Sequence, residues 1–303
     1  RMSLSKRDLL RFLGLSSIAT SINFTSLLSR ELMVKRMIPS SQELLPVIGL
    51  GTSRVFDVEP KEALLGIRKK ILEILIMNGG SMIDTSPMYG MAEEITGIIT
   101  KELNINNEFF FATKVWTNGD AEGKKQISSS FKKINTAKID LIQIHNLKDW
   151  KTHIKTLREL KDEGKIKYIG ITHYKASAFD AMENIIKKES IDFAQFNYSL
   201  GEREAENRLL PLCQDMNIAT IINRPFMRGK LFKEVKNKAL PDWSRDFNIN
   251  SWAQYFLKFI LANPAVTNII PATSKPKNMI DNVMGGYSPI PEKRLQERMM
   301  EIN

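Results

Sequence analysis

Residues 80–97 read GSMIDTSPMYGMAEEITG, and the way this stretch divides decides the fold. Ser81, Met82 and Ile83 form a short apolar strand bounded by glycines upstream and a proline turn downstream. Asp84 falls where the strand stops. Pro87 forces an extended or turning backbone ahead of it, and the acids of Ala92-Glu93-Glu94 suit the first turn of a helix ending near Glu102. An acid and a phenol, Asp84 and Tyr89, thus stand on either side of a turn at a strand's end. Alone, Asp84 reads as a turn or cap residue and Tyr89 as a half-buried loop aromatic.

The next two apolar strands change that reading, because each also ends in a group that carries or exchanges a proton. The run EFFFAT at 108–113 leads into Lys114, and DLIQI at 140–144 leads into His145. A lysine closing a run of phenylalanines is costly to bury unless something pairs with it. Asp84 is the available partner. Upstream, PVIGLGT at 46–52 is an apolar strand. Downstream, helical patterns over 60–77, 121–134, 150–162, 176–188, 203–216 and 251–262 alternate with strands ending at Thr172, Asn197, Asn223 and 269–272.

Polar strand ends therefore recur at intervals of about thirty residues, the length of one strand plus one crossover helix. Eight such units close an α/β (β/α)8 TIM barrel, whose strand C-termini all emerge on one face. That topology gathers Asp84, Lys114, His145, Thr172, Gln195, Asn197 and Asn223 around one mouth. The competing architecture is an open doubly wound sheet, and its GxGxxG fingerprint is missing after the first strand.

The chain has 303 residues, 43% of them hydrophobic, enough for one large domain over 37–303 behind an extension at 1–36. Its formal charge of +10 is spread along the sequence, as on a solvated surface, and steers anions such as a phosphorylated cofactor towards a cleft. Cys213 is the sole cysteine, which excludes an intramolecular disulfide and a cysteine-based metal site. His145, His153 and His173 lack metal-ligand spacing, so no metal is expected. Arg1, ahead of Met2, reads as an expression remnant. Two readings of the extension stand: Ser5 to Leu10 resembles a twin-arginine export signal with Lys6 in place of the first arginine, or the segment is a retained amphipathic helix. The first places the protein in the periplasm and the second in the cytoplasm. No later stretch reaches the ~18 uninterrupted apolar residues of a membrane span.

At the mouth, a charged Lys114 beside Tyr89 favours the phenolate and is expected to lower a phenol pKa that is ordinarily about 10. Asp84 holds the lysine, and His145 can donate a hydrogen bond to the oxygen that Tyr89 serves. These groups fit acid catalysis at a carbonyl, with electrons taken from a cofactor.

Here the sequence resembles the aldo-keto reductase family, from Ile38 to about Val283. The resemblance rests on residues 80–97, on ATKVW at 112–116 and on LIQIH at 141–145. It implies a catalytic tetrad of Asp84, Tyr89, Lys114 and His145, a hydride from a nicotinamide and a proton from Tyr89. It also implies that Thr172, His173 and Gln195 hold the carboxamide, with Asn223 and Arg224 beside the nicotinamide. Phe226 to Gly229, together with Thr273, Ser274, Lys275, Asn278 and Asn282, would hold phosphates and adenosine, and Trp116 would line the substrate side. The sequence departs from the family pattern at His173, where asparagine is usual, and at Asn223, where an aromatic is usual. Arg224 either lays its guanidinium on a ring or pairs with a surface carboxylate. His173 has the alternative of capping a helix start, and Trp243 and Trp252 read as packing. Ala272 and Asn278 replace the cations that most often select NADPH, while Lys275 and Lys277 flank Pro276 at a helix start. The expected cofactor is NADPH, with NADH as the alternative, and the partner a small carbonyl substrate. Two other classes stay open: a cofactor-binding regulatory or redox-sensing barrel with little turnover, and a basic barrel that binds nucleic acid. The latter needs lysine and arginine clustered with aromatics on one face, and no nucleic-acid partner is expected.

Overall fold

The computed structural model describes residues 33–302, so the export-signal and amphipathic-helix readings lie outside the described residues. The chain enters as an antiparallel hairpin of β1 (Lys35–Met37) and β2 (Leu44–Pro46). Eight strands then run parallel, each beside the next in sequence: β3 (Leu50–Gly51), β4 (Met82–Asp84), β5 (Phe110–Val115), β6 (Ile139–His145), β7 (Ile166–Thr172), β8 (Phe193–Asn197), β9 (Ala219–Asn223) and β10 (Asn268–Ile269). The ends meet where Ile48 bridges Ile269: Gly49 N–H donates to the Ile269 carbonyl at 2.8 Å, and Ile269 N–H donates to that of Val47 at 2.8 Å. This closure makes the sheet the barrel expected from the strand spacing.

The helices α1 (Glu62–Met77), α2 (Ala92–Leu103), α3 (Asp120–Ile134), α4 (Trp150–Asp162), α5 (Phe179–Lys188) and α6 (Leu209–Asp215) alternate with the strands. The last is shorter than the pattern at 203–216. Its third residue is Pro211, which a first turn accepts and a helix interior does not. The stretch 224–250 is more ordered than its composition suggests, holding α7 (Lys230–Glu234) and a 3-10 segment at Asp242–Phe247. There follow α8 (Trp252–Leu261), α9 (Pro276–Met284), which opens on its proline as expected, and α10 (Lys293–Met299). Among the described residues no helix is long and apolar enough to cross a membrane.

Side-chain alternation along the strands builds two cores. Ile83, Phe111, Val115, Ile142, Ile144, Ile169, Ile171, Phe196 and Ile222 belong to the larger cluster, where the sheet meets its helices. Their neighbours Met82, Phe110, Leu141, Tyr168, Phe193 and Ile221 form a second cluster inside the barrel, together with the hairpin residues Ile38 and Leu45. The hairpin therefore stoppers the N-terminal mouth, and Tyr168 secures it by donating from its hydroxyl to Glu43 at 2.5 Å. Met33 is buried in the larger cluster and bridges Tyr287, so the anticipated boundary between 36 and 37 falls inside β1.

Candidate active site

The same alternation continues upward. Above Phe110 the inward positions of β5 are Ala112 and Lys114, above Leu141 those of β6 are Gln143 and His145, and above Phe193 that of β8 is Gln195. Lys114 Nζ donates to both Asp84 oxygens at 2.8 Å and to the Thr85 carbonyl at 2.7 Å, and lysine and acid are each 1% exposed. Gln195 Nε2 donates to Asn223 Oδ1 at 2.7 Å and, more weakly, to Asp84 Oδ2 at 3.4 Å. Its own carbonyl accepts from Gln143 Nε2 at 2.5 Å. Burial pushes the Asp84 carboxyl above its ordinary value, against the pull of Lys114. Burial would lower Lys114, but its contacts, the Asp84 charge and hydrogen bonds foremost, outweigh it and raise its pKa.

Tyr89 comes over this pair on a turn that depends on the next residue. Gly90 has φ +57°, and a Cβ there would collide with the Asp57 carboxylate, which accepts the Met91 N–H at 3.0 Å. Lys114 Nζ lies 5.1 Å from the centre of the Tyr89 ring. The expected lowering of the phenol pKa is corrected here. Burial raises it, the Asp84 charge adds to the rise, and Lys114 offsets these only in part. Tyr89 thus keeps its proton at neutral pH.

His145 ends β6 with its ring edge-on to Tyr89, centroids 5.8 Å apart and planes at 89°. Burial, then the charges of Lys114 and His173, push its pKa down to about 3. The imidazole is neutral, a hydrogen-bond donor or acceptor and not an acid at physiological pH.

Tyr89 and His145 open onto a cleft of about 1250 Å³ at the C-terminal mouth. Of the residues singled out in the sequence, Asp84, Thr172, Asn223, Arg224, Phe226, Gly229, Thr273, Asn278 and Asn282 line it as well. Lys114 and Gln195 lie beneath its floor, buried in the network just described. His173, Ser274 and Lys275 are not in its wall. His173 Nδ1 accepts the Lys175 N–H at 3.1 Å, ahead of a 3-10 turn at Ala176–Ala178 that carries no side-chain cap, so the capping alternative is not what the structure shows. Trp116 does not reach the cleft: Gln126 clamps its backbone at both N–H and C=O, and its ring sits 4.6 Å from Lys148 Nζ. The Arg224 guanidinium lies on a ring, that of Tyr174 at 4.7 Å. Trp252 packs on Phe256, as expected, and also lines the cleft. Sequence reasoning missed Arg54 and Tyr174, which also line the wall; their sole signal was position in the loops that follow β3 and β7.

The wall suits a dinucleotide by its donor set. Amides and hydroxyls from Thr172 and Asn223 stand near Tyr89, arginines 54, 224 and 228 provide for phosphates, and Phe226, Phe232 and Trp252 offer flat apolar surface beyond. Residues 47–297 match the Aldo/keto reductase family. The chain belongs to that family. It is similar to the aldo-keto reductase YhdN of Bacillus subtilis, 32% identical over 168 residues, an alignment that spans half of each protein. It is 27% identical to the uncharacterised oxidoreductase YqkF of the same species, over 83% of this chain and 90% of the relative. The NADH-specific methylglyoxal reductase of Escherichia coli is 28% identical over 60% of this chain and 63% of its own length. A Klebsiella pneumoniae aldo-keto reductase solved with NADPH superposes with a TM-score of 0.73 at 22% identity, covering 88% of this chain and 94% of that one. This aldo-keto reductase is accordingly an oxidoreductase acting on carbonyl compounds.

Proposed function

We propose that the cleft reduces short aldehydes and ketones to alcohols with Tyr89 as the proton donor. The observation that carries this reading is a half-buried phenol held over Lys114, itself paired with Asp84, at the foot of the cleft. A bound reduced nicotinamide supplies the hydride. Tyr89 passes its proton to the carbonyl oxygen, and Lys114 stabilises the phenolate left behind. Asp84 keeps the ammonium charged and in place, while neutral His145 donates a hydrogen bond to the same oxygen. The residues suited to holding the cofactor are Thr172 and Asn223 near the ring end, Arg224 and Phe226 to Gly229 at the phosphates, and Thr273, Asn278 and Asn282 at the adenosine.

NADPH is the favoured cofactor, with weak discrimination against NADH, because Lys275 and Lys277 are exposed at the start of α9 while Ala272 and Asn278 carry no charge. A short oxo-aldehyde is the first substrate to try, since relatives include methylglyoxal reductases. Screening aldehydes and ketones against NADPH and NADH, followed by nicotinamide absorbance, tests the proposal. Turnover of a short oxo-aldehyde, faster with NADPH, is expected; no oxidation of either cofactor by any carbonyl would contradict it. Export through the Ser5 to Leu10 segment is proposed separately, and fractionation of cells expressing the full chain tests it.

A further inference from the structure

Ser86 is absent from the residues that the resemblance assigns, yet it is fully buried against His145, with its Oγ 3.0 Å from the ring Nδ1. The same Oγ accepts the Met88 N–H at 3.1 Å. That backbone bond occupies one lone pair of the hydroxyl and leaves its proton to be placed. Among the described residues no other acceptor stands within reach of it, so the proton has Nδ1 alone to go to.

The two neutral tautomers of His145 are therefore unequal. With the ring proton on Nε2, Nδ1 accepts from Ser86 and Ser86 accepts from Met88, so that both the hydroxyl and Nδ1 are paired. With the ring proton on Nδ1, both His145 and Ser86 would direct a proton at the same contact, and the hydroxyl hydrogen would be buried without an acceptor, which is costly. Among the described residues Nε2 has no hydrogen-bond partner, and it belongs to a residue lining the cleft.

We infer that Ser86 is a positioning residue that fixes His145 as the Nε2–H tautomer, so that its donor and not its lone pair faces the substrate oxygen. This deepens the proposed carbonyl reduction and rests on it for the identity of that oxygen. The wrong tautomer would set a lone pair against the oxygen that Tyr89 protonates, and the site would lose one of its two donors. Ser86 itself touches no substrate. Its hydroxyl acts by polarity through the ring, as an outer partner of a working imidazole commonly does.

The test reads the ring before it reads the rate. The chain has three histidines, so ¹⁵N-histidine labelling with single replacement of His153 and of His173 assigns the His145 nitrogens. In the full-length wild type without ligands, Nε2 is expected at the protonated, pyrrole-like shift and Nδ1 at the unprotonated one. Ser86→Ala should move population towards Nδ1–H and lower kcat about tenfold, part of the 10²- to 10³-fold worth of a full oxyanion donor. Cofactor Kd should stay unchanged. Ser86→Thr, which keeps the hydroxyl, should recover the wild-type tautomer and most of the rate. A wild-type ring protonated on Nδ1 would overturn the inference. So would a Ser86→Ala chain whose tautomer is unchanged, or one whose tautomer shifts while kcat does not. Because the wild-type spectrum needs no substrate, failure of the carbonyl screen with the Nε2–H signal present would count against the reductase reading and not against the tautomer assignment.

Discussion

The two ends of the barrel interior are made from the same strands and differ in almost everything else. On β5 the inward residues run Phe110, Ala112, Lys114; on β6, Leu141, Gln143, His145; on β8, Phe193 and Gln195. At the N-terminal end, Phe110 stacks on Tyr168 at 5.9 Å and Tyr168 meets Phe193 edge-on at 5.4 Å, all under the β1–β2 hairpin. At the C-terminal end a lysine and an aspartate are buried where they must be paired, and a phenol and an imidazole are held away from their ordinary pKa values. One end is filled by shape and contributes stability. The other holds groups whose burial costs free energy, and it can do so because the packed end and the helix-facing core stabilise the strands that carry them.

That division can be broken from the packed end first. Phe193→Ala is expected to cost about 3–5 kcal/mol of stability, read from a urea unfolding curve. At a temperature where the variant is still folded, kcat should stay within about twofold of wild type. A loss of turnover parallel to the loss of stability would show that the two ends are not separable.

The polar end has its own effect on stability, with a sign that follows from His145. Its folded pKa of about 3 lies below the ordinary value near 6.5. As pH falls below that ordinary value the unfolded chain takes up a proton that the folded chain refuses, so stability drops between roughly pH 6.5 and pH 3. Urea midpoints at pH 7 and pH 5 should therefore converge for wild type and His145→Gln if wild type starts higher, since only wild type loses this contribution. A constant gap would contradict the depressed pKa.

Smaller effects sharpen the comparison at its edges. Lys275→Ala should weaken NADPH about tenfold and leave NADH unchanged, measured as Kd, because a single exposed charge-assisted contact is worth about 1.4 kcal/mol. Equal binding of both cofactors by wild type, untouched by the substitution, would end the NADPH preference. The smallest effect is expected from removing residues 1–32: folding and kcat unchanged. The cut must stop before Met33, which is buried, and Val34, whose N–H donates to the Gly286 carbonyl at 2.9 Å.

Much of this was legible in the sequence because period-two alternation carries direction as well as burial. Once EFFFAT ends in Lys114 and DLIQI in His145, the barrel topology alone brings both to Asp84. What was not legible depends on distances across the fold. The rise in the Tyr89 pKa comes from desolvation in the fold, which a sequence argument from Lys114 alone could not reveal. Ser86 gains its meaning from a contact 59 residues away. Trp116 follows the lysine strand in register, yet its ring lies against Lys148 and is not in the cleft wall. Arg224 was free to choose between a ring and a carboxylate, and Tyr174 from the β7 loop supplied the ring.

The most direct measurement of the central claim is single-turnover reduction by Tyr89→Phe, with cofactor binding measured on the same protein. Removing the phenolic proton should lower the rate at least ~100-fold, the low end for losing a general acid, while cofactor Kd stays within about twofold. A phenylalanine variant that reduces its carbonyl at the wild-type rate would contradict the assignment of Tyr89 as the proton donor.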